Sequence, residues 1–68
     1  MIEIHEALRI AVETLRRDGA LRNDRYRLTA SRVDDRWVFW FVFLPETPGL
    51  DVTVTVGDGG DTRVLPGL

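Results

Sequence analysis

Cysteine is absent from the 68 residues, which removes any disulfide framework and any thiolate chemistry. Lysine is absent too, so arginine supplies all nine basic residues. One histidine, His5, cannot build a common zinc site alone, and Ser31 is the only serine. Long apolar runs are missing. The longest, Trp37 to Leu44, has eight residues, against the ~20 that a membrane helix needs. The leading residues, Met1 to Glu6, carry acids where a signal peptide needs a basic start and an apolar stretch. These absences lead us to expect a soluble, cytoplasmic protein with no membrane association. Repeats, low-complexity segments and interdomain linkers are also lacking. The expectation is one small domain spanning residues 1–68.

What is present is an ordinary globular composition, 44% hydrophobic and 29% charged, which excludes a disordered chain. A domain this short buries only ~60% of the surface its unfolded chain exposes, so its core is near the limit of self-sufficiency. The formal net charge of -2 argues against nucleic acid, whose partners tend to be basic. The charge is uneven, however. Residues 16–36 hold seven Arg against Asp18, Asp24, Asp34 and Asp35, and both flanks are net acidic.

Residues 3–18 have the spacing of an amphipathic helix. Ile4, Leu8, Ala11 and Leu15 recur on one side, with Ala7 and Val12 beside them. Ile10 falls off that stripe. Glu13 is placed to pair with Arg16 and Arg17, and Gly19 supplies the stop. Patterning then changes to period two. Tyr26 to Val33 reads as a strand, Asp34-Asp35 as a tight turn, and Trp37 to Leu44 as the strongest strand. The segment Pro45-Glu46-Thr47-Pro48-Gly49 breaks it. Asp51 to Val56 alternates Val and Thr, Gly57-Asp58-Gly59-Gly60 turns, and Thr62 to Leu65 adds a short last strand. Short connections favour antiparallel neighbours. The predicted fold is α+β: one N-terminal helix on an antiparallel meander sheet of three to four strands.

A two-residue loop at Asp34-Asp35 fixes the first hairpin. Val33 then opposes Arg36, Ala30 meets Phe39, Leu28 meets Phe41, and Tyr26 meets Phe43. One face gathers Leu28, Ala30, Phe39, Phe41 and Phe43 with Val52, Val54 and Val56, and we assign it to the core under the helix. The other face carries Arg27, Thr29 and Ser31 beside Val38, Trp40 and Val42, with Thr53 and Thr55. A single helix covers one side of a sheet, so this second face is left open although its central strand is apolar. Open apolar surface marks interaction sites, and Trp and Arg are enriched at binding hot spots. Trp40, Val38, Val42, Arg27, Thr29 and Thr55 are therefore the candidate partner-binding residues. The alternative is private burial of Trp40 under the tail, Val64-Leu65-Pro66-Gly67-Leu68, with Arg27 stacked on its ring.

Catalytic chemistry is thin. His5 lies at the helix start and reads as a surface or capping residue, and Ser31 has no nucleophile-elbow context. Asp58-Gly59-Gly60-Asp61 lacks the ligand series of a calcium loop and reads as a turn. No cofactor, metal or catalytic residue is expected. Arg22, Arg25, Arg27, Arg32 and Arg36, with Tyr26, Trp37 and Trp40, contain the ingredients of a single-strand nucleic-acid platform, which the acidic total and interleaved Asp residues oppose.

The order Glu6-Ala7-Leu8, Ala11, Leu15, Gly19, then Trp37-Val38-Phe39, Val52-Thr53-Val54-Thr55-Val56, a Gly turn and Val64-Leu65 resembles the small PepSY-like α+β domains and a related-looking group of bacterial immunity proteins. Gly57-Asp58 departs from their Val-Asp pattern. The resemblance spans most of the chain and implies a non-catalytic binder or inhibitor of another protein. It carries over no specific functional residue. The expected function is a protein-binding module of inhibitor or immunity type, using the open sheet face. The alternatives are a homodimer whose open faces pack together and an Arg-rich binder of single-stranded nucleic acid.

Overall fold

The structure, a computed structural model, describes residues 1–47 and 49–67. Pro48, read as part of the break, and Leu68, read as the tip of the tail, lie outside them. One helix, α1 (Ile4–Arg17), precedes four strands: β1 (Tyr26–Val33), β2 (Arg36–Phe43), β3 (Val52–Gly57) and β4 (Thr62–Pro66). The strands form an antiparallel sheet in the order β1-β2-β3-β4, with the helix packed on one face.

Gly19 closes the helix as the sequence suggests. It takes φ 73, and Ala20 N–H donates to the Leu15 carbonyl at 2.8 Å while Gly19 N–H donates to Arg16 at 3.2 Å. This six-to-one and five-to-two pair satisfies carbonyls that would otherwise face the loop unbonded. Glu6 in the first turn and Arg16 and Arg17 in the last complement the helix dipole. The expected partners of Glu13 are corrected. Arg9 bridges Glu6 at 2.6 Å and Glu13 at 3.0 Å, one guanidinium serving two carboxylates, and Arg17 turns to Asp18.

The buried line of the helix is Ala7, Ala11, Thr14 and Leu15, rotated from the expected stripe. Ile4 is 38% exposed and Ile10 is half-buried against the core. Thr14 is what makes the rotation possible. Its hydroxyl donates to the Ile10 carbonyl at 2.8 Å, so the polar atom enters the interface already bonded. Ala7 and Ala11 bring the helix close to a sheet whose own residues supply the bulk: Phe39, Phe41, Phe43, Val52, Val54 and Val56 are all buried.

The first hairpin has the register that the two-residue loop dictates, from Val33↔Arg36 to Tyr26↔Phe43. Asp34 occupies the left-handed region at φ 56, where its short polar side chain is tolerated. Two core assignments are corrected. Leu28 is 36% exposed, and Ala30 is exposed as well. Both point to the helix side, but among the described residues the helix packs on β2, β3 and β4 and does not reach β1. A helix is only ~10 Å wide, and four strands at ~4.8 Å spacing are wider than that.

Candidate partner-binding face

The face opposite the helix is built in rows by the strand register. Thr29, Trp40, Thr53 and Leu65 form one row across the four strands; Ser31, Val38, Thr55 and Arg63 form the next. Trp40 stands at 45% exposure in the middle of the long strand β2, with half-buried Val38 and Val42 two residues to either side. Leu65 in the same row is also 45% exposed.

The Trp40 ring is not free to swing. Its Nε1–H donates to Asp51 Oδ2 at 2.7 Å. Asp51 in turn sits against Gly67, whose N–H donates to the Asp51 carbonyl at 2.8 Å. A Cβ at residue 67 would overlap the Asp51 carboxylate, so the close approach requires glycine there. Beside the ring is a cleft of about 430 Å³ lined by Arg27, Val42, Glu46, Thr47 and Asp51. Arg27 and Glu46 form an exposed ion pair at its rim.

All six residues named from the sequence lie on this face: Trp40, Val38, Val42, Arg27, Thr29 and Thr55. Thr55 is the one withdrawn from contact: it is 8% exposed, with Arg36 Nη1 at 3.5 Å from its hydroxyl. The alternative, private burial of Trp40 under the tail, is corrected for the tail's described residues. Val64, Leu65 and Pro66 belong to β4 and lie edge-on beside β3; Leu65 extends the open face, Val64 and Pro66 turn to the helix side, and none of the three roofs the ring. Arg27 pairs with Glu46 instead of stacking on the ring. The sequence reading missed Leu65, Asp51 and Glu46. Pairing β4 onto β3 in the Val/Thr register would have found Leu65; nothing local marks the other two.

The arginines proposed for nucleic acid do not converge. Arg27 and Arg36 belong to the open face, while Arg32 lies on the helix side, 5.7 Å from the Trp37 ring. Each of these three has a carboxylate: Glu46 for Arg27, Asp58 at 2.8 Å for Arg32, and Asp61 at 3.6 Å for Arg36, while Arg22 and Arg25 stand exposed in the connection before β1. The aromatic residues split as well, with Tyr26 and Trp37 on the helix side and Trp40 on the other. Asp58 and Asp61, the two acids of the Gly-rich turn, are thereby engaged by arginine side chains.

Asp58 also ties down the chain's start. It accepts from Ile2 N–H at 3.2 Å, and Trp37 Nε1–H donates to the Ile2 carbonyl at 2.9 Å. The hydrogen bond from Arg32, helped by that from Ile2, holds the Asp58 carboxyl down at about 2, below its ordinary 3.8. A carboxylate with a depressed folded pKa contributes stability above the unfolded value, and that contribution is lost as pH falls through the folded value. The parent should therefore lose part of its melting temperature between about pH 4 and pH 2, with a change in Trp37 fluorescence. Asp58→Asn should lack that part of the transition. Parallel acid profiles for the two proteins would show that Asp58 is not the group responsible.

Nothing matches. Comparison with family models, with curated proteins and with solved structures finds no counterpart to this chain. Among the described residues no helix is long and apolar enough to cross a membrane.

Proposed function

We propose that this chain is a non-enzymatic protein-binding module that receives a protein partner on its open sheet face, with Trp40 as the anchor. One observation carries the reading. Trp40 is displayed at the centre of the face with its only donor already bonded to Asp51. What remains for a partner is an apolar ring held in one orientation, so little side-chain freedom is lost on binding. Val38 and Val42 extend the apolar patch, and the Arg27–Glu46 pair gives it a polar rim, the usual anatomy of an interface. The non-enzymatic part is supported by placement. His5 is on the helix and Ser31 points to the opposite side of the sheet, so the only histidine and only serine do not meet. The inhibitor or immunity-type reading rests on the resemblance to PepSY-like domains and bacterial immunity proteins.

Affinity capture from an extract of the producing cells tests the proposal, with retained proteins quantified for the parent, Trp40→Glu and Ile4→Lys. Ile4 is exposed on the helix side and serves as the control. The expected result is a partner retained by the parent and by Ile4→Lys and lost with Trp40→Glu, while far-UV circular dichroism stays that of the parent. A retained set unchanged by Trp40→Glu overturns the reading.

A further inference from the structure

The two edges of the sheet are not alike. The Leu44 N–H donates to the Arg25 carbonyl at 2.9 Å, which sets the alternation along the first hairpin. Odd-numbered residues of β1 turn their backbone groups to β2, and Tyr26, Leu28, Ala30 and Arg32 turn theirs off the free edge. At the other edge, Gly57 N–H donates to Asp61 and Gly67 N–H to Asp51, so Thr62, Val64 and Pro66 face outward. Pro66 has no N–H and β4 is short. The β4 edge is thus blunted. The β1 edge is eight residues long, carries no proline, and presents four donors and four acceptors.

The charges that commonly guard such an edge are neutralised within the chain. Arg27 is paired with Glu46 and Arg32 with Asp58. The side chains above the edge on the helix side, Leu28 and Ala30, are uncovered because the helix sits over the other three strands. We infer that β1 pairs antiparallel with β1 of a second copy of this chain, about a two-fold axis at Thr29, joining the two sheets into one of eight strands. This surface is separate from the open face, which it leaves free and makes continuous across the pair.

The register follows from symmetry. An axis perpendicular to the sheet keeps each face on its own side, so it must pass through a residue, not between two. Only axes at Thr29 and Ala30 keep seven of the eight strand residues paired. At Thr29, Leu28 meets Ala30 of the other copy, and Tyr26 meets Arg32, a ring opposite a cation. At Ala30, Leu28 would meet Arg32. The Thr29 register makes four hydrogen-bonded pairs and about eight backbone hydrogen bonds, within the usual count for an interface. Its area is smaller than usual. An eight-residue strand is ~27 Å long, and its edge covers less than the ~800 Å² per partner of a standard interface. The dimer should accordingly form in the high micromolar range.

Because the chain has no cysteine, a single Thr29→Cys reports on the axis. Directly opposed residues in a non-hydrogen-bonded pair stand ~4.5 Å apart at Cα, within disulfide range. Thr29→Cys should form a covalent dimer under mild oxidation, and Trp40→Cys should not. The second variant is Ala30→Pro, which removes an outward N–H and leaves the bonds to β2 intact. It should keep the parent's far-UV spectrum and stay monomeric by light scattering at concentrations where the parent dimerises. A parent that is monomeric at every concentration, without a Thr29→Cys crosslink, overturns the inference. So does a dimer that survives Ala30→Pro and crosslinks at Trp40→Cys, which would place the two-fold on the open face. Loss of the captured partner with Ala30→Pro is not expected, so this proposal and the partner-binding proposal fail separately.

Discussion

Phe41→Ala leaves the chain largely unfolded at room temperature, whereas Trp40→Ala, one residue earlier, keeps a cooperative melt. Phe41 is fully buried between sheet and helix. It also anchors Tyr26, whose ring meets it edge-on at 5.0 Å, and it stacks with Phe43 at 6.3 Å. Removing a buried Phe costs about 3–5 kcal/mol in transfer and cavity terms. A core of this size supplies about 3–5 kcal/mol in all, so the folded and unfolded states become comparable. Trp40 is half exposed, and its loss leaves only Asp51 to be rehydrated, for about 1 kcal/mol. Urea melts followed by far-UV circular dichroism measure both. Equal losses for the two variants would mean that the two faces of β2 are buried alike, contrary to the register.

Leu15→Ala is the matching expectation from the helix side. Leu15 is the largest fully buried side chain that the helix contributes, since Ala7 and Ala11 are small. The substitution removes about 2–5 kcal/mol, again close to the whole stability. Among the described residues only Ile2, Ala20 and Leu21 join the helix in covering that side, and Phe39, Val54 and Val56 would be wetted once the helix is lost. Helix and sheet signals should therefore be lost in one transition at a lower urea midpoint. Retention of the strand signal after the helix has melted would show the sheet to be stable alone and would contradict this account.

Much of the fold was legible because its determinants are local. Gly19 ends the helix, and Asp34-Asp35 allows only two residues between strands, which sets every pair from Val33↔Arg36 to Tyr26↔Phe43. Trp40 followed from that register. The lateral seat of the helix was not legible. Period and stripe say which side of a helix is apolar, but not which strands lie beneath it, so Leu28 and Ala30 read as core and are exposed. The face of Thr55 was legible from the Val/Thr alternation, but its burial was not: it depends on the reach of Arg36 from the neighbouring strand, a long side chain whose direction no spacing encodes. The link from Ile2 and Trp37 to Asp58 joins residues at opposite ends of the sequence, and no short motif announces such a contact.

The off-centre seat of the helix also divides the molecule kinetically. Within the sheet strand β1 pairs with β2 alone, and it is otherwise tied only by Tyr26 against the core and by the Arg27–Glu46 and Arg32–Asp58 ion pairs among the described residues. Peeling it away uncovers the Tyr26 contact with Phe41 and Phe43 but leaves the helix on β2, β3 and β4, so its opening free energy lies below that of global unfolding. In amide exchange the inward N–H groups of Arg27, Thr29 and Ser31 should form an early-exchanging unit, while those of β3 exchange only when the whole chain unfolds. A protease would make its first cut in the same place, between Asp18 and Val33, leaving helix and remaining strands still folded around Phe39 and Val54 in the nicked product.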